Sequence, residues 1–185
     1  MKILIIGAQG VIGKIITAGL AKDHEIVTVG KTSGDWQFDI SSAEEVESMF
    51  RAVGQIDACI CAAGDSETDD LSQLTVKQLQ VGITNKLLAQ ANLVLIGQKY
   101  LNDNGSFTLT SGKMGDLPVK GAAGKAFVNG AVNSFVMAAA LDLQRGLRLN
   151  AVSPAKIGSV SDFEIFNAYC KCVESDINGK VFKIY

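Results

Sequence analysis

Short β-branched runs alternate with helical patterns along the whole chain. The runs KILIIG, EIVTVG, IDACICAAG, GSFTLTSG, LRLNAVSP and KVFKIY are apolar enough to be strands buried on both faces. Between them lie longer segments with apolar residues at helical spacing, such as SAEEVESMFRAVG and GKAFVNGAVNSFVMAAALDLQRG. This alternation predicts right-handed β-α-β units and an α/β fold, with a doubly wound, mostly parallel sheet covered on both faces in three layers.

Length and composition favour one soluble domain. The chain has 185 residues, of which 48% are hydrophobic and 19% charged. We see no linker or repeat, and expect a single domain over residues 1–185. The net charge of −2 provides no basic field for nucleic acid or an anionic membrane surface. The start, MKILIIGAQG, is too short in apolar residues for a signal peptide, so we expect a cytoplasmic protein.

The cysteines and the single histidine do not indicate a metal site. Cys59 and Cys61 form one C-x-C pair, and Cys170 and Cys172 form another. A zinc site with four cysteines usually needs a wider spacing within each pair. We therefore expect buried or half-buried thiols and no metal. His24 has no obvious partner in the sequence and is a weak catalytic candidate.

The first strand ends in a glycine-rich turn, GAQGVIG. Gly7, Gly10 and Gly13 have the spacing G-x-x-G-x-x-G between a strand and a helix. Glycines at such a turn let the backbone approach a pyrophosphate, which the N–H groups of the following helix then bind. The pattern predicts dinucleotide binding, with a tight structural turn as the alternative.

The turn after the second strand bears on the choice of dinucleotide. A free ribose 2′-hydroxyl usually meets an acidic residue here, but this chain has Lys31, Thr32 and Ser33. A cation and two hydroxyls suit a 2′-phosphate, which favours NADP over NAD. Alternatively, Lys31 is only a solvated loop charge. Asp39, further on, either accepts a hydrogen bond from an adenine amino group or is a turn residue.

Several motifs together resemble the short-chain dehydrogenase/reductase family along nearly the whole chain. They are GAQGVIG, DACICAAG, GSFTLTSG, NGAVNSFVMAAALDL and LRLNAVSPAKI, in the order and spacing of that family. The resemblance implies a Rossmann fold, NAD(P) binding, and oxidation or reduction of an alcohol/carbonyl pair. The cofactor-binding residues predicted from the turns and the resemblance are Gly7, Gln9, Gly10, Ile12, Gly13, Lys31, Thr32, Ser33, Asp39, Ile40, Ala62, Ala63, Gly64, Thr110, Pro154 and Ile157.

The same resemblance implies an altered catalytic centre. The family uses a Ser, a Tyr, a Lys four residues after the Tyr, and an Asn in the preceding long helix. Ser111 matches the Ser, but Lys125 falls at the Tyr position and Asn129 at the Lys position. Lys86 falls at the Asn position, or Asn85 if the alignment is displaced by one residue. The family's P-G after the sixth strand is Pro154-Ala155 here, and few residues follow before the next helix, so we expect a shallow pocket.

These residues predict an unusual reductase. Ser111 would orient a carbonyl oxygen and Lys125 would supply the proton, with Lys86 as a nearby cation that lowers the pKa of the Lys125 amine. In the alternative, Lys125 is solvated and does neither. The leading hypothesis is an NADP(H)-dependent oxidoreductase acting on a small carbonyl or alcohol. A non-catalytic NAD(P)-binding regulatory or sensor protein is the second hypothesis, and an isomerase or lyase the third. Small residues in the two long helices, together with the resemblance, predict a homodimer or homotetramer.

Overall fold

A single parallel sheet forms the centre of the molecule. The computed structural model describes residues 1–156 and 158–185. Within them, seven strands pair in the order β3-β2-β1-β4-β5-β6-β7, and every pair is parallel. The strands are β1 Lys2–Ile6, β2 Glu25–Gly30, β3 Trp36–Gln37, β4 Ile56–Cys61, β5 Leu101–Thr110, β6 Arg148–Pro154 and β7 Val181–Ile184. The predicted α/β fold class, a Rossmann-type doubly wound sheet, is confirmed.

Helices cover both faces of the sheet. They are α1 Val11–Leu20, α2 Ala43–Val53, α3 Val76–Gly82, a π-helical segment Ile83–Leu88, α4 Ala89–Gly97, α5 Ala123–Ala139 and α6 Asp162–Glu174. Two of their starts are fixed by serines, since Ser42 and Ser161 each accept a hydrogen bond from the backbone N–H three residues later. A short 3₁₀ turn, Lys113–Gly115, lies between β5 and α5.

Alternate residues of the central strands supply two separate cores. Leu4 and Ile6 of β1 belong to the core beneath α2, α4 and α5. Ile3 and Ile5 point to the opposite face and pack with residues of α1 and α6. This division follows from the two-residue period of a strand, and explains why the runs are apolar at every position. The result is the predicted three-layer α/β/α arrangement.

Some element boundaries differ from the sequence prediction. The two-residue strand β3 has no apolar run, and Trp36 and Gln37 are both exposed at the edge of the sheet. The expected long helix over TVKQLQVGITNKLLAQANLVLIGQKYL contains the π-helical segment, and Leu101 already belongs to β5. Helix α5 ends at Ala139 rather than near residue 146, and the chain then passes through turns, with Arg145 at φ 59°, before β6 begins.

Cys59, Cys61 and Cys172 are buried, Cys170 is half-buried, and all four are free thiols. Among the described residues no cluster of side chains could hold a metal ion. No helix in the described part of the chain has the length and apolarity needed to cross a membrane.

Candidate active site

Two cavities lie at the carboxyl edge of the sheet, where strand order reverses between β1 and β4. This is the position at which open α/β sheets bind ligands. The large cavity, of about 630 Å³, lies over β4, β5 and β6. The small cavity, of about 240 Å³, lies over β1 and β2. The large cavity is lined by Gly10, Val11, Ile12, Ala62, Ala63, Gly64, Asp65, Ser66, Lys86, Thr110, Ser111, Gly112, Lys113, Met114, Lys125, Asn129, Pro154, Ala155 and Lys156.

The glycine turn between the two cavities has no room for side chains. Gly7 has φ +81°, and a Cβ there would lie 2.9 Å from the Cβ of Ala63. A Cβ on Gly13 would lie 2.1 Å from the carbonyl oxygen of Gly7. Gly10 is less crowded, and its N–H donates to the Gly7 carbonyl oxygen at 3.1 Å. The turn thus presents bare backbone at the start of α1, the arrangement that accommodates a pyrophosphate.

The four predicted catalytic residues line the large cavity together. Ser111 follows β5, Lys125 and Asn129 lie one turn apart on α5, and Lys86 comes from the π-helical segment. Lys86 Nζ donates to the carbonyl oxygen of Ser111 at 2.9 Å. Asn85, the alternative to Lys86 in the sequence alignment, instead lines the small cavity.

Burial alters the acidity of one of these amines. Lys86 is only 9% exposed. The pKa of its ammonium is lowered to about 8, chiefly by burial and also by the positive charge of Lys125, while Cys61 and Asp65 act in the opposite direction. Lys125 itself is exposed at the start of α5. The sequence analysis expected the proton donor at Lys125, whereas the buried amine with a lowered pKa is that of Lys86.

Two buried polar atoms of the large cavity have no hydrogen-bond partner in the described part of the chain. They are Ser111 Oγ and Asn129 Oδ1. Leaving a buried polar group unpaired costs roughly 1–3 kcal/mol, so such groups call for a specific explanation. Both belong to residues that line an open cavity, and a ligand with polar groups is the explanation that fits.

Gln90, which the sequence analysis did not identify, holds the end of β5 in place. Its amide nitrogen donates to the Thr110 carbonyl oxygen at 2.9 Å, and its amide oxygen accepts from the Thr110 N–H at 2.7 Å. The Thr110 hydroxyl in turn forms hydrogen bonds with the Cys61 carbonyl oxygen and the Tyr169 hydroxyl, each at 2.6 Å. The available sequence signal was a glutamine four residues after Lys86, in the mostly apolar stretch LLAQANLVLIG.

The small cavity is lined by several of the predicted cofactor residues. Gly7, Lys31, Asp39, Ile40, Ala63 and Gly64 all contribute to it. Lys31 Nζ lies 2.6 Å from Asp39 Oδ2. The hydrogen bonds from Lys31 and Ser41 lower the pKa of the Asp39 carboxyl to about 2.

Other predicted cofactor residues lie elsewhere. Ile12, Ala62, Thr110 and Pro154 line the large cavity. Gln9, Thr32 and Ser33 are exposed and line neither cavity. Ile157 lies outside the described residues.

Comparison with known proteins gives the family. A family model described as enoyl-(acyl carrier protein) reductase matches residues 7–175. Short-chain dehydrogenase/reductase ATR9 of Stachybotrys chlorohalonatus is 31% identical over 125 residues, which cover 64% of this chain and 48% of that protein. The chain thus spans about half the length of this curated relative.

Solved structures agree over the whole chain. The protein lin1944 from Listeria innocua is 37% identical, with a TM-score of 0.96 and 100% of both chains covered. A small-chain dehydrogenase in complex with NADPH is 21% identical, with a TM-score of 0.90 over 100% of this chain and 96% of that one. The sheet order and the glycine turn agree with these matches. The chain therefore belongs to the short-chain dehydrogenase/reductase family, whose members are oxidoreductases with an NAD(P)-binding Rossmann fold.

Proposed function

We propose that the protein is an NADP(H)-dependent oxidoreductase that interconverts a small carbonyl compound and its alcohol through an altered catalytic centre. One observation carries the proposal: Ser111, Lys86, Lys125 and Asn129 line one cavity at the switch point of the sheet, with Ser111 Oγ and Asn129 Oδ1 buried and unpaired among the described residues. Both atoms belong to residues in the cavity wall, where the polar groups of a bound substrate would pair with them.

The glycine turn and the small cavity are the proposed cofactor site. The backbone of Gly7 and Gly13 fits a pyrophosphate, and Gly30, Ile40 and Asn85 border the space for an adenosine. The side chain of Lys31 is 73% exposed, so its ammonium is free to leave Asp39 and pair with a 2′-phosphate instead. NADPH in the solved small-chain dehydrogenase also supports this preference. When bound, the nicotinamide supplies or accepts the hydride.

In the proposed reduction, Ser111 and Lys86 act on the carbonyl oxygen. The Ser111 hydroxyl donates a hydrogen bond to that oxygen and orients the substrate. As hydride reaches the carbonyl carbon, the π electron pair moves to the oxygen, which takes a proton from the Lys86 ammonium. Neutral Lys86 then regains a proton from water. A donor with a pKa of about 8 suits this transfer near neutral pH.

Lys125 has an electrostatic role in this scheme. Because its positive charge lowers the pKa of the Lys86 ammonium, it makes Lys86 a better proton donor. The sequence analysis gave the proton transfer to Lys125 itself. The burial of Lys86 and its bond to Ser111 favour Lys86 for that step.

Two variants separate these assignments. We expect Lys86→Met to abolish most turnover of an active carbonyl while NADPH still binds. We expect Lys125→Gln to retain kcat at saturating substrate and to move the alkaline limb of the kcat profile, set near pH 8 by Lys86, to higher pH. Loss of turnover in Lys125→Gln with normal turnover in Lys86→Met would reverse the two roles. The measurement is NADPH oxidation between pH 6 and 10 with a panel of small aldehydes and ketones.

A non-catalytic NAD(P)-binding regulatory or sensor protein is the second candidate. The observation that favours it is the chain's lack of the family's Tyr, whose position holds the exposed Lys125. Tight NADPH binding by fluorescence titration, without oxidation of NADPH by any carbonyl in the panel, would establish this alternative and refute the reductase.

We also propose that the protein forms a homodimer, or a homotetramer containing that dimer, through the π-helical segment, α4 and α5. These helices expose Leu88, Leu95, Phe127 and Met137 at 47–59%. Of the small residues noted in the sequence, Ala89, Ala91 and Ala140 are buried within the chain, so the exposed apolar side chains are the better candidates for the contact. We expect Phe127→Glu to give a monomer in light scattering. A wild-type monomer at micromolar concentration would contradict the proposal.

A further inference from the structure

The large cavity is strongly basic on a chain that is acidic overall. Lys86, Lys113, Lys125 and Lys156 line it, against one carboxylate, Asp65, among the described lining residues. The whole chain has a net charge of −2. In the described part of the chain, the ion pairs are made by other cations and leave all four of these lysines without a carboxylate partner.

The charges reach the cavity from separate elements. Lys113 lies in the 3₁₀ turn after β5, Lys125 in the first turn of α5, and Lys156 in the segment after β6. Convergence of like charges costs free energy unless an anion compensates them.

Lys113 is held near the cavity without being neutralised. Its Nζ lies 5.4 Å from the ring centroid of Tyr185, a cation–π contact. Asp116, on the same side of the turn, accepts a hydrogen bond from the Tyr185 hydroxyl at 2.8 Å and pairs with Lys183 at 3.2 Å. The aromatic ring therefore positions the ammonium of Lys113, while the neighbouring carboxylate is occupied by other partners.

The unpaired polar atoms lie in the same space. Ser111 is 3% exposed and Asn129 is 5% exposed, and both line the cavity together with Lys113 and Lys125. When the carbonyl oxygen of a ligand accepts a hydrogen bond from the Ser111 hydroxyl, the groups attached to that carbonyl lie in the same cavity as the cationic side chains.

We propose that the substrate is a small carbonyl compound with a carboxylate or phosphate group close to the carbonyl, and that Lys113 and Lys125 bind this anionic group. The inference rests on the proposed function, because it assigns a substrate class to the same cavity. The rival explanation is that the lysines serve only the phosphates of the cofactor. The test therefore uses protein saturated with NADPH, in which those phosphates are already bound.

The first arm compares matched substrates that differ in charge. We expect kcat/KM to be at least about tenfold higher for pyruvate than for methyl pyruvate, and for dihydroxyacetone phosphate than for dihydroxyacetone, in at least one of the pairs. Lys113→Gln should lower that ratio about fivefold to tenfold, and 0.5 M NaCl should lower it as well, because salt screens exposed charges. Lys120→Gln, an exposed lysine that does not line the cavity, should leave the ratio unchanged.

The second arm measures binding without turnover. Calorimetric titration of the NADPH-loaded protein should detect oxamate or inorganic phosphate, should not detect neutral oxamide, and should weaken in Lys113→Gln. Binding of these anions with no turnover of any carbonyl would support the anion site and refute the reductase. Equal turnover of both members of each pair would refute the anion site and leave the reductase intact. Absence of binding by both oxamate and phosphate would also overturn it.

Discussion

The glycine turn and the large cavity, both at the carboxyl edge of the sheet, are built in different ways. The turn is shaped by backbone, since Gly7 and Gly13 leave no space for a methyl group. The large cavity is shaped by side chains, since Lys86, Ser111, Lys125 and Asn129 reach it from three separate elements. The turn depends on a short run of residues, whereas the large cavity depends on how distant elements pack.

This difference explains how the large cavity can depart from the family pattern while the cofactor side does not. The turn tolerates few changes, because a Cβ added at Gly7 or Gly13 collides with neighbouring atoms. In a site built from side chains, residues can be exchanged between helices while the overall set of polar groups is kept. In the proposed catalytic centre, Lys86 and Asn129 are such an exchange: each is buried, and together they would provide the amine and the amide that the family resemblance implies in the opposite order.

Removal of the Ser111 hydroxyl is expected to have the largest effect on activity of the changes in the large cavity. We expect Ser111→Ala to lower kcat by about 10²–10³-fold, as for loss of one hydrogen bond to a developing oxyanion, with unchanged NADPH affinity. Because Ser111 Oγ has no protein partner among the described residues, the change should not reduce the melting temperature. Steady-state kinetics and thermal unfolding measure the two effects.

Ser106→Ala is the matched control for that change. Ser106 lies on β5, the strand that Ser111 directly follows. It is 1% exposed and its hydroxyl is likewise unpaired within the described residues, but it lines neither cavity. Its kcat should equal that of the wild type. Equal loss of turnover in both variants would mean that the Ser111 effect comes from disturbance of β5 rather than from contact with substrate.

In contrast to Ser111→Ala, a change in the glycine turn is expected to weaken cofactor binding. In Gly13→Ala the added methyl group would lie 2.1 Å from the Gly7 carbonyl oxygen and within 2.8 Å of the Ala8 backbone, so α1 must move away from the turn. Such overpacking costs about 1–3 kcal/mol, and we expect NADPH affinity to fall on the order of 100-fold. Fluorescence titration measures it.

Gly130→Ala tests whether any added helical methyl group has this effect. Its nearest neighbour would be the Gly115 carbonyl oxygen at 3.7 Å, an ordinary contact, so NADPH affinity should be retained. If Gly13→Ala bound NADPH as tightly as the wild type, the turn would be structural only, and the cofactor site would have to be sought elsewhere.

The sequence predicted the backbone site better than the side-chain site. The strand–glycine–helix pattern is local, so GAQGVIG was sufficient to place the turn. The hydrogen bonds between Gln90 and Thr110 connect residues 20 positions apart, and the pairing of Lys31 with Asp39 depends on the edge strand between them. The π-helical segment likewise has no pattern of its own in the sequence. Family resemblance brought the four residues of the large cavity together, but not the burial that distinguishes Lys86 from Lys125.

The buried ammonium of Lys86 lowers the free energy of unfolding of the protein. Measuring this effect is a test that needs no substrate. Because its folded pKa of about 8 lies below the unfolded value near 10.5, the charged amine destabilises the folded state fully below pH 8. We expect Lys86→Met to raise the free energy of unfolding by about 2 kcal/mol at pH 7. Denaturant unfolding at several pH values measures the difference.

The sign of the pH dependence follows from proton uptake. Between pH 8 and 10.5 the unfolded wild type holds more protons than the folded protein, so its stability rises with pH relative to Lys86→Met, and the gap closes by about pH 10.5. Taking the difference between the two proteins removes the contributions of the buried thiols and of Tyr169, which titrate in both. A gap that stays constant with pH would mean that the Lys86 amine is not perturbed.

The smallest expected effect concerns Lys31, the charged side chain proposed to contact the 2′-phosphate of the cofactor. Lys31→Ala should weaken NADPH binding about fivefold, because an exposed ion pair contributes roughly 1 kcal/mol or less, and should leave NADH binding unchanged. Lys22→Ala, a change at an exposed lysine that lines neither cavity, should alter neither affinity. Parallel titrations with NADPH and NADH measure the selectivity. If Lys31→Ala weakened both cofactors equally, Lys31 would act through its pairing with Asp39, which borders the small cavity, and not through a 2′-phosphate. If it weakened neither, Lys31 would be only a solvated partner of Asp39, and the preference for NADP would have to come from another residue.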